Sequence, residues 1–158
     1  MLLKGYSKDS CRKEEPMEKI LFVDDDPVLL LLYQEELSEE GYEVHLARNG
    51  KEALKIYDRE SPQVVVLDLR LKIMDGLETL RAFLGRNRDL PVILNTASPL
   101  DGDCYKRWGA EAYVVKSSDL ADLKAKIREA LAKRKKMIAS QKVVTPVEKP
   151  ESTELITI

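Results

Sequence analysis

The sequence predicts an α/β protein, a five-stranded parallel sheet with helices on both faces. Three observations carry that prediction. Five short apolar runs alternate with five stretches bearing helix-start signals, and such alternation builds parallel sheets through helical crossovers. The run Val64-Val65-Val66-Leu67 has no polar position, as a strand covered on both faces requires. A chain of 158 residues, 44% hydrophobic and 34% charged, is long enough for one modest core and too short for two.

Each element has a local reason. Residues 1–17 mix charges without periodicity, so a flexible extension is expected, with Met17 a candidate translation start. Lys19-Ile20-Leu21-Phe22-Val23 is the first strand. Asp26-Pro27 then starts a helix, an N-cap acceptor followed by a residue whose missing N–H costs nothing, and Gly41 stops it after about Glu40. Glu43 to Ala47 alternates as a second strand. Asn49 caps a second helix with Glu52 three residues on, and Ser61-Pro62 ends it before the central strand. A third helix runs from Leu77 to about Arg86, and Pro91 to Thr96 is the fourth strand. Ser98-Pro99-Leu100-Asp101 caps a short helix that Gly109 closes. Ala112 to Lys116 is the fifth strand, and Ser117-Ser118-Asp119 caps a last helix reaching about Lys136. The folded domain is expected over residues 18–137. Residues 138–158, rich in Pro, Thr, Glu and Lys, are expected to be disordered.

Composition excludes some functions. A net charge of −2 gives no overall pull toward nucleic acid, and the longest apolar run, Val28 to Tyr33, is too short to span a bilayer. Cys11 and Cys104 form no disulfide framework and read as free thiols, so the cytoplasm is the expected location.

Four strands end on reactive groups: Asp24-Asp25, Asp68, Thr96 and Lys116. Right-handed crossovers bring these ends to one sheet edge, where open α/β sheets bind ligands. Three close carboxylates repel unless a cation stands between them, and a small hard divalent ion, Mg²⁺ or Mn²⁺, meets that need. Lys116 adds a fixed positive charge and Thr96 a hydroxyl donor. The set suits phosphoryl transfer, with Asp68 the nucleophile that becomes an acyl phosphate.

These residues carry a resemblance. Val23-Asp24-Asp25-Asp26-Pro27, Val66-Leu67-Asp68 with Met74-Asp75-Gly76, Thr96-Ala97, Gly109-Ala110 and Tyr113-Val114-Val115-Lys116 resemble a response-regulator receiver domain of two-component signalling, over about residues 18–137. The resemblance implies a flavodoxin-like sheet in the order 2-1-3-4-5, the order of the chemotaxis receiver that serves as a standard example. It implies that Asp68 accepts phosphate from a sensor histidine kinase or histidine phosphotransfer protein. Asp25, Asp68 and the Arg70 backbone carbonyl would hold Mg²⁺, with Asp24 assisting through water. Thr96 and Lys116 would bind the phosphoryl oxygens, and Tyr113 would swing inward as Thr96 moves. A stand-alone phosphoacceptor with a downstream protein target is expected, not an enzyme beyond autodephosphorylation. Lys72 and Ser117 depart from the prolines common in the family, and the resemblance places Arg70 and Ser98 at the two positions that in this family tune phosphoryl lifetime.

Other features have plainer readings. His45 reads as a surface or half-buried residue. The last helix is basic, seven of its eight charged residues between Lys124 and Lys136, which suits a helix C-terminus more than nucleic-acid binding. In the first helix Leu29, Leu32 or Tyr33, and Leu37 form the expected inward stripe. Leu31 then faces out with Val28 and Leu30 on its flanks, a candidate docking patch for the phosphodonor. Two alternatives stay open: a haloacid-dehalogenase-type phosphatase with Asp24 as nucleophile, and a receiver-like scaffold that carries no phosphate.

Overall fold

The computed structural model describes residues 15–144. The chain runs β1 (Lys19–Val23), α1 (Pro27–Glu39), β2 (Glu43–Ala47), α2 (Gly50–Glu60), β3 (Val64–Leu67), α3 (Gly76–Arg86), β4 (Val92–Thr96), α4 (Cys104–Arg107), β5 (Ala112–Val115) and α5 (Ala121–Val144). The strands form one parallel sheet in the order β2-β1-β3-β4-β5, so the expected fold class and strand order are both observed.

β3 lies at the centre, and all four of its residues are buried. Alternation divides their side chains between two cores. Val64 and Val66 join Ile20, Phe22, Ile93 and Val114 beneath α1 and α5. Val65 and Leu67 join Leu21, Val23, Val92 and Leu94 beneath α2 and α3. Each such side chain contributes roughly 1.5–3 kcal/mol when buried, so an all-apolar strand is stable only with both faces covered. The caps form as their residues predict. Asp26 Oδ1 accepts the N–H groups of Val28 and Leu29, and Asn49 accepts that of Glu52 while Glu52 takes the N–H of Arg48.

Three local expectations need correction. The buried stripe of α1 is Leu30, Tyr33 and Leu37, while Leu32 is 37% exposed. Leu30 therefore belongs to the core and not to the docking patch, which is left with Val28 and Leu31. In a run of apolar residues from Val28 to Leu32, periodicity cannot set the phase. Tyr33 sets it, with its ring stacked on Phe22 and its hydroxyl bonded to Asn95. The helix expected after Ser98 starts only at Cys104, because Gly102 turns the chain at a φ of +48°. Finally, α5 continues through Val144, so residues 138–144 of the expected disordered tail are helical. No glycine or proline interrupts the sequence before Pro146. The remainder of that tail, and residues 1–14 of the N-terminal extension, lie outside the described residues.

Candidate functional site

β1 and β3 end side by side. Val23 pairs with Leu67, and the next residue on each strand is an aspartate. Because both strands rise out of the core, Asp24 and Asp68 are only 2% and 4% exposed. Asp25 joins them, and the three carboxylates present oxygen atoms all within 4.8 Å of one another. Lys116 follows the last residue of β5. Its Nζ lies 2.8 Å from Asp24 Oδ2 and 3.1 Å from Asp68 Oδ2. Residues separated by up to 92 positions thus meet because parallel strands all end at one edge.

Burial pushes the Asp68 carboxyl up from its ordinary range. The Arg70 N–H, 3.1 Å from Oδ1, and the Lys116 ammonium pull it down, and the Asp24 charge raises it further; the net shift is upward. Burial works to lower Lys116, but Asp24 and Asp68 outweigh it and the ammonium is held above its ordinary value. Asp24 Oδ1 accepts the Asp26 N–H at 2.9 Å. Its Oδ2 is buried and meets the Lys116 ammonium at 2.8 Å. Three carboxylates against one ammonium leave excess negative charge, and their clustered oxygens are a donor set that fits a hard divalent cation.

The other expected site residues are placed less directly. Thr96 is buried at the end of β4, but its hydroxyl donates to the Ser98 carbonyl and not toward the acids. Tyr113 is half-buried, its ring 5.1 Å from that of Tyr105. Arg70 is exposed, and its contribution seen here is the backbone N–H on Asp68. Val28 and Leu31 are exposed, at 72% and 61%. Lys116 reaches both carboxylates although Ser117 follows it. Part of the basic side of α5 meets acidic partners, with Lys124 on Glu36, Arg128 near Glu40, Lys133 on Glu111 and Lys135 near Glu18. His45 is half-buried as expected, yet it stands between Glu43 and Glu60, the latter also paired with Lys19. Only the fold brings Glu60 there.

Two further residues, Gly76 within a quoted motif and Asn95 outside them all, support the site. Gly76 lets α3 begin against the loop after Asp68: a Cβ there would stand 2.5 Å from Leu69 Cα and 2.7 Å from the Asp68 carbonyl oxygen. Asn95 donates to the Tyr33 hydroxyl at 2.9 Å in the interior. Its one sequence signal is a polar residue inside an otherwise apolar strand.

The site and fold match known proteins. The family profile for the response regulator receiver domain covers residues 20–128. A probable transcriptional regulator, ycf27, of Pyropia yezoensis is 36% identical over 80% of this chain and 53% of its own. The transcriptional regulatory protein TrcR of Mycobacterium tuberculosis is 36% identical over 72% of this chain and 45% of its own. The chain therefore spans about half the length of the curated relatives it matches. Among solved structures, the response regulator protein TrrA of Thermotoga maritima in complex with Mg²⁺-BeF is 38% identical, with a TM-score of 0.67 over 72% of this chain and 99% of TrrA. The complex of histidine kinase ThkA with TrrA matches at 40% identity and a TM-score of 0.67, over 73% of this chain and 99% of the matched chain. With its sheet order, acidic cluster and lysine all in place, this chain belongs to the response regulator receiver domain family.

Proposed function

We propose that Asp68 accepts a phosphoryl group from a phosphohistidine of a sensor histidine kinase or histidine phosphotransfer protein, and that the phosphorylated form presents an altered face to a protein target. The observation that carries this reading is the partly buried Lys116 ammonium shared by Asp24 and Asp68, with the Asp25 carboxylate clustered beside them. In the transfer, an Asp68 carboxylate oxygen forms the new P–O bond as the donor's P–N bond breaks, and the leaving imidazole takes up a proton. Lys116, already poised over Asp68, follows the charge to a phosphoryl oxygen. Thr96 leaves the Ser98 carbonyl to donate to the same group, and Tyr113 follows it inward. Asp24, Asp25, Asp68 and the Arg70 carbonyl would hold Mg²⁺ or Mn²⁺, which supplies the positive charge that phosphoryl oxygens need. The structure of TrrA with Mg²⁺-BeF supports that cofactor, and the ThkA–TrrA complex supports a kinase partner.

Val28 and Leu31 form the exposed apolar patch on α1 beside the acidic mouth, and we assign the phosphodonor to it. None of the described helices is long and apolar enough to cross a membrane, and the cytoplasm suits a partner of this kind. Beyond hydrolysis of its own acyl phosphate, no turnover is assigned. Nor is a direct nucleic-acid role, since the chain carries a net charge of −2 and Lys124, Arg128, Lys133 and Lys135 of α5 already face carboxylates.

Phosphoryl labelling from phosphoramidate with magnesium tests this reading. Loss of label in Asp68→Asn supports it. Retained label there, with loss in Asp24→Asn, would transfer the chemistry to the phosphatase alternative, and a wild type that takes no label would favour the scaffold. Leu31→Glu is expected to slow transfer from the cognate kinase and leave phosphoramidate labelling intact; equal kinase rates would remove the patch from the reading.

A further inference from the structure

Phe22, Val66 and Ile93 stand side by side in register on β1, β3 and β4, all facing α1 and α5. Two residues further along these strands come Asp24, Asp68 and Asn95. Alternation puts them on the same face, so Asn95 is level with the phosphoacceptor and one strand away. Its amide is buried and donates to the Tyr33 hydroxyl at 2.9 Å, joining positions 62 residues apart. Tyr33 in turn lies nearly flat on Phe22, with ring centroids 4.9 Å apart and planes at 19°. The link runs from β1 through α1 to β4, the two strands that flank β3 without pairing to each other. It is a strap across the strand that carries Asp68.

For stability alone, Phe and Leu of similar shape would serve nearly as well, because an interior hydrogen bond replaces ones made to water. What the polar pair adds is a fixed geometry at the floor of the site. We propose that Asn95 and Tyr33 are positioning residues for phosphoryl transfer to Asp68. Their hydrogen bond holds the ends of β1 and β4 at the separation that the Asp24–Lys116–Asp68 cluster requires. This rests on Asp68 being the phosphoacceptor.

The test compares the full chain with Tyr33→Phe, Asn95→Leu and the double variant. Urea unfolding without metal reads stability, and intact mass follows phosphorylation by phosphoramidate with magnesium. Each single variant strands a buried polar group and lowers the unfolding midpoint, while the double variant regains most of that loss. Its maximal phosphorylation rate nevertheless stays about tenfold below wild type, with half-saturating phosphoramidate unchanged, because misplaced reacting groups slow the chemical step. A double variant that phosphorylates at the wild-type rate overturns the proposal and leaves the pair as packing. If the double variant fails to fold, Tyr33→Phe decides, since it deletes one oxygen and no volume: slowed transfer supports the strap and a wild-type rate refutes it. Failure of the underlying reading is distinguishable, because it would show as an unlabelled wild type and would remove this inference with it.

Discussion

Asp68→Asn is expected to stabilise the metal-free protein and to abolish its stabilisation by magnesium. The Asp68 carboxylate lies 3.1 Å from the Lys116 ammonium but has oxygens of both Asp24 and Asp25 within 4.8 Å. At an effective dielectric constant of about 20, the ammonium attracts it by about 5 kcal/mol, and each neighbouring carboxylate repels it by about 3.5 kcal/mol. Repulsion therefore exceeds attraction by about 2 kcal/mol before desolvation of the buried carboxylate is added. The amide keeps the Arg70 N–H contact through its carbonyl oxygen and removes the repulsion. The raised pKa of Asp68 gives the same sign. The folded state binds this proton more tightly than the unfolded chain. Its stabilising contribution is full below the unfolded value of about 3.9 and is lost as pH rises through the raised folded value. Wild type should thus fall behind Asp68→Asn across the acidic range and remain behind at neutral pH. Urea midpoints in EDTA measure the gap. Magnesium at about 100 times its Kd should then add about 2.7 kcal/mol to wild type and little to the variant, reversing their order. A variant no more stable than wild type in EDTA, or one stabilised equally by magnesium, would refute the reasoning.

Gly76→Ala should destabilise by about 1–3 kcal/mol and slow phosphorylation of Asp68, because its Cβ meets backbone atoms of Leu69 and Asp68; urea midpoints and labelling rates check both. Leu30→Ala should lower stability by about 2–5 kcal/mol as a core truncation. Leu31→Ala should stay within about 0.5 kcal/mol, so thermal unfolding of the two variants tests the phase assigned to α1. Ser61 holds the left-handed conformation at the end of α2, with a φ of 49°. Ser61→Gly should therefore raise stability by about 1 kcal/mol, seen as a higher Tm.

The sequence by itself determined the strands, the sheet-edge convergence and the acidic cluster. Those features rest on short apolar runs, on cap residues such as Asp26 and Asn49, and on chemistry placed where strands end. The phase of α1 stayed hidden, since the continuous apolar stretch Val28 to Leu32 has no preferred inner face until Tyr33 finds Phe22 and Asn95. The shortness of α4 was hidden too, because a cap sequence at Ser98 could not reveal the turn that Gly102 makes. Only the tertiary structure decided that Asn95 stands level with Asp68, that Glu60 approaches His45, and that the Thr96 hydroxyl is held by the Ser98 carbonyl. The physical reason is common to all of these. Local sequence fixes backbone conformation and which face a side chain takes, whereas contacts between distant residues are set by strand register and helix packing, which arise from the whole core at once.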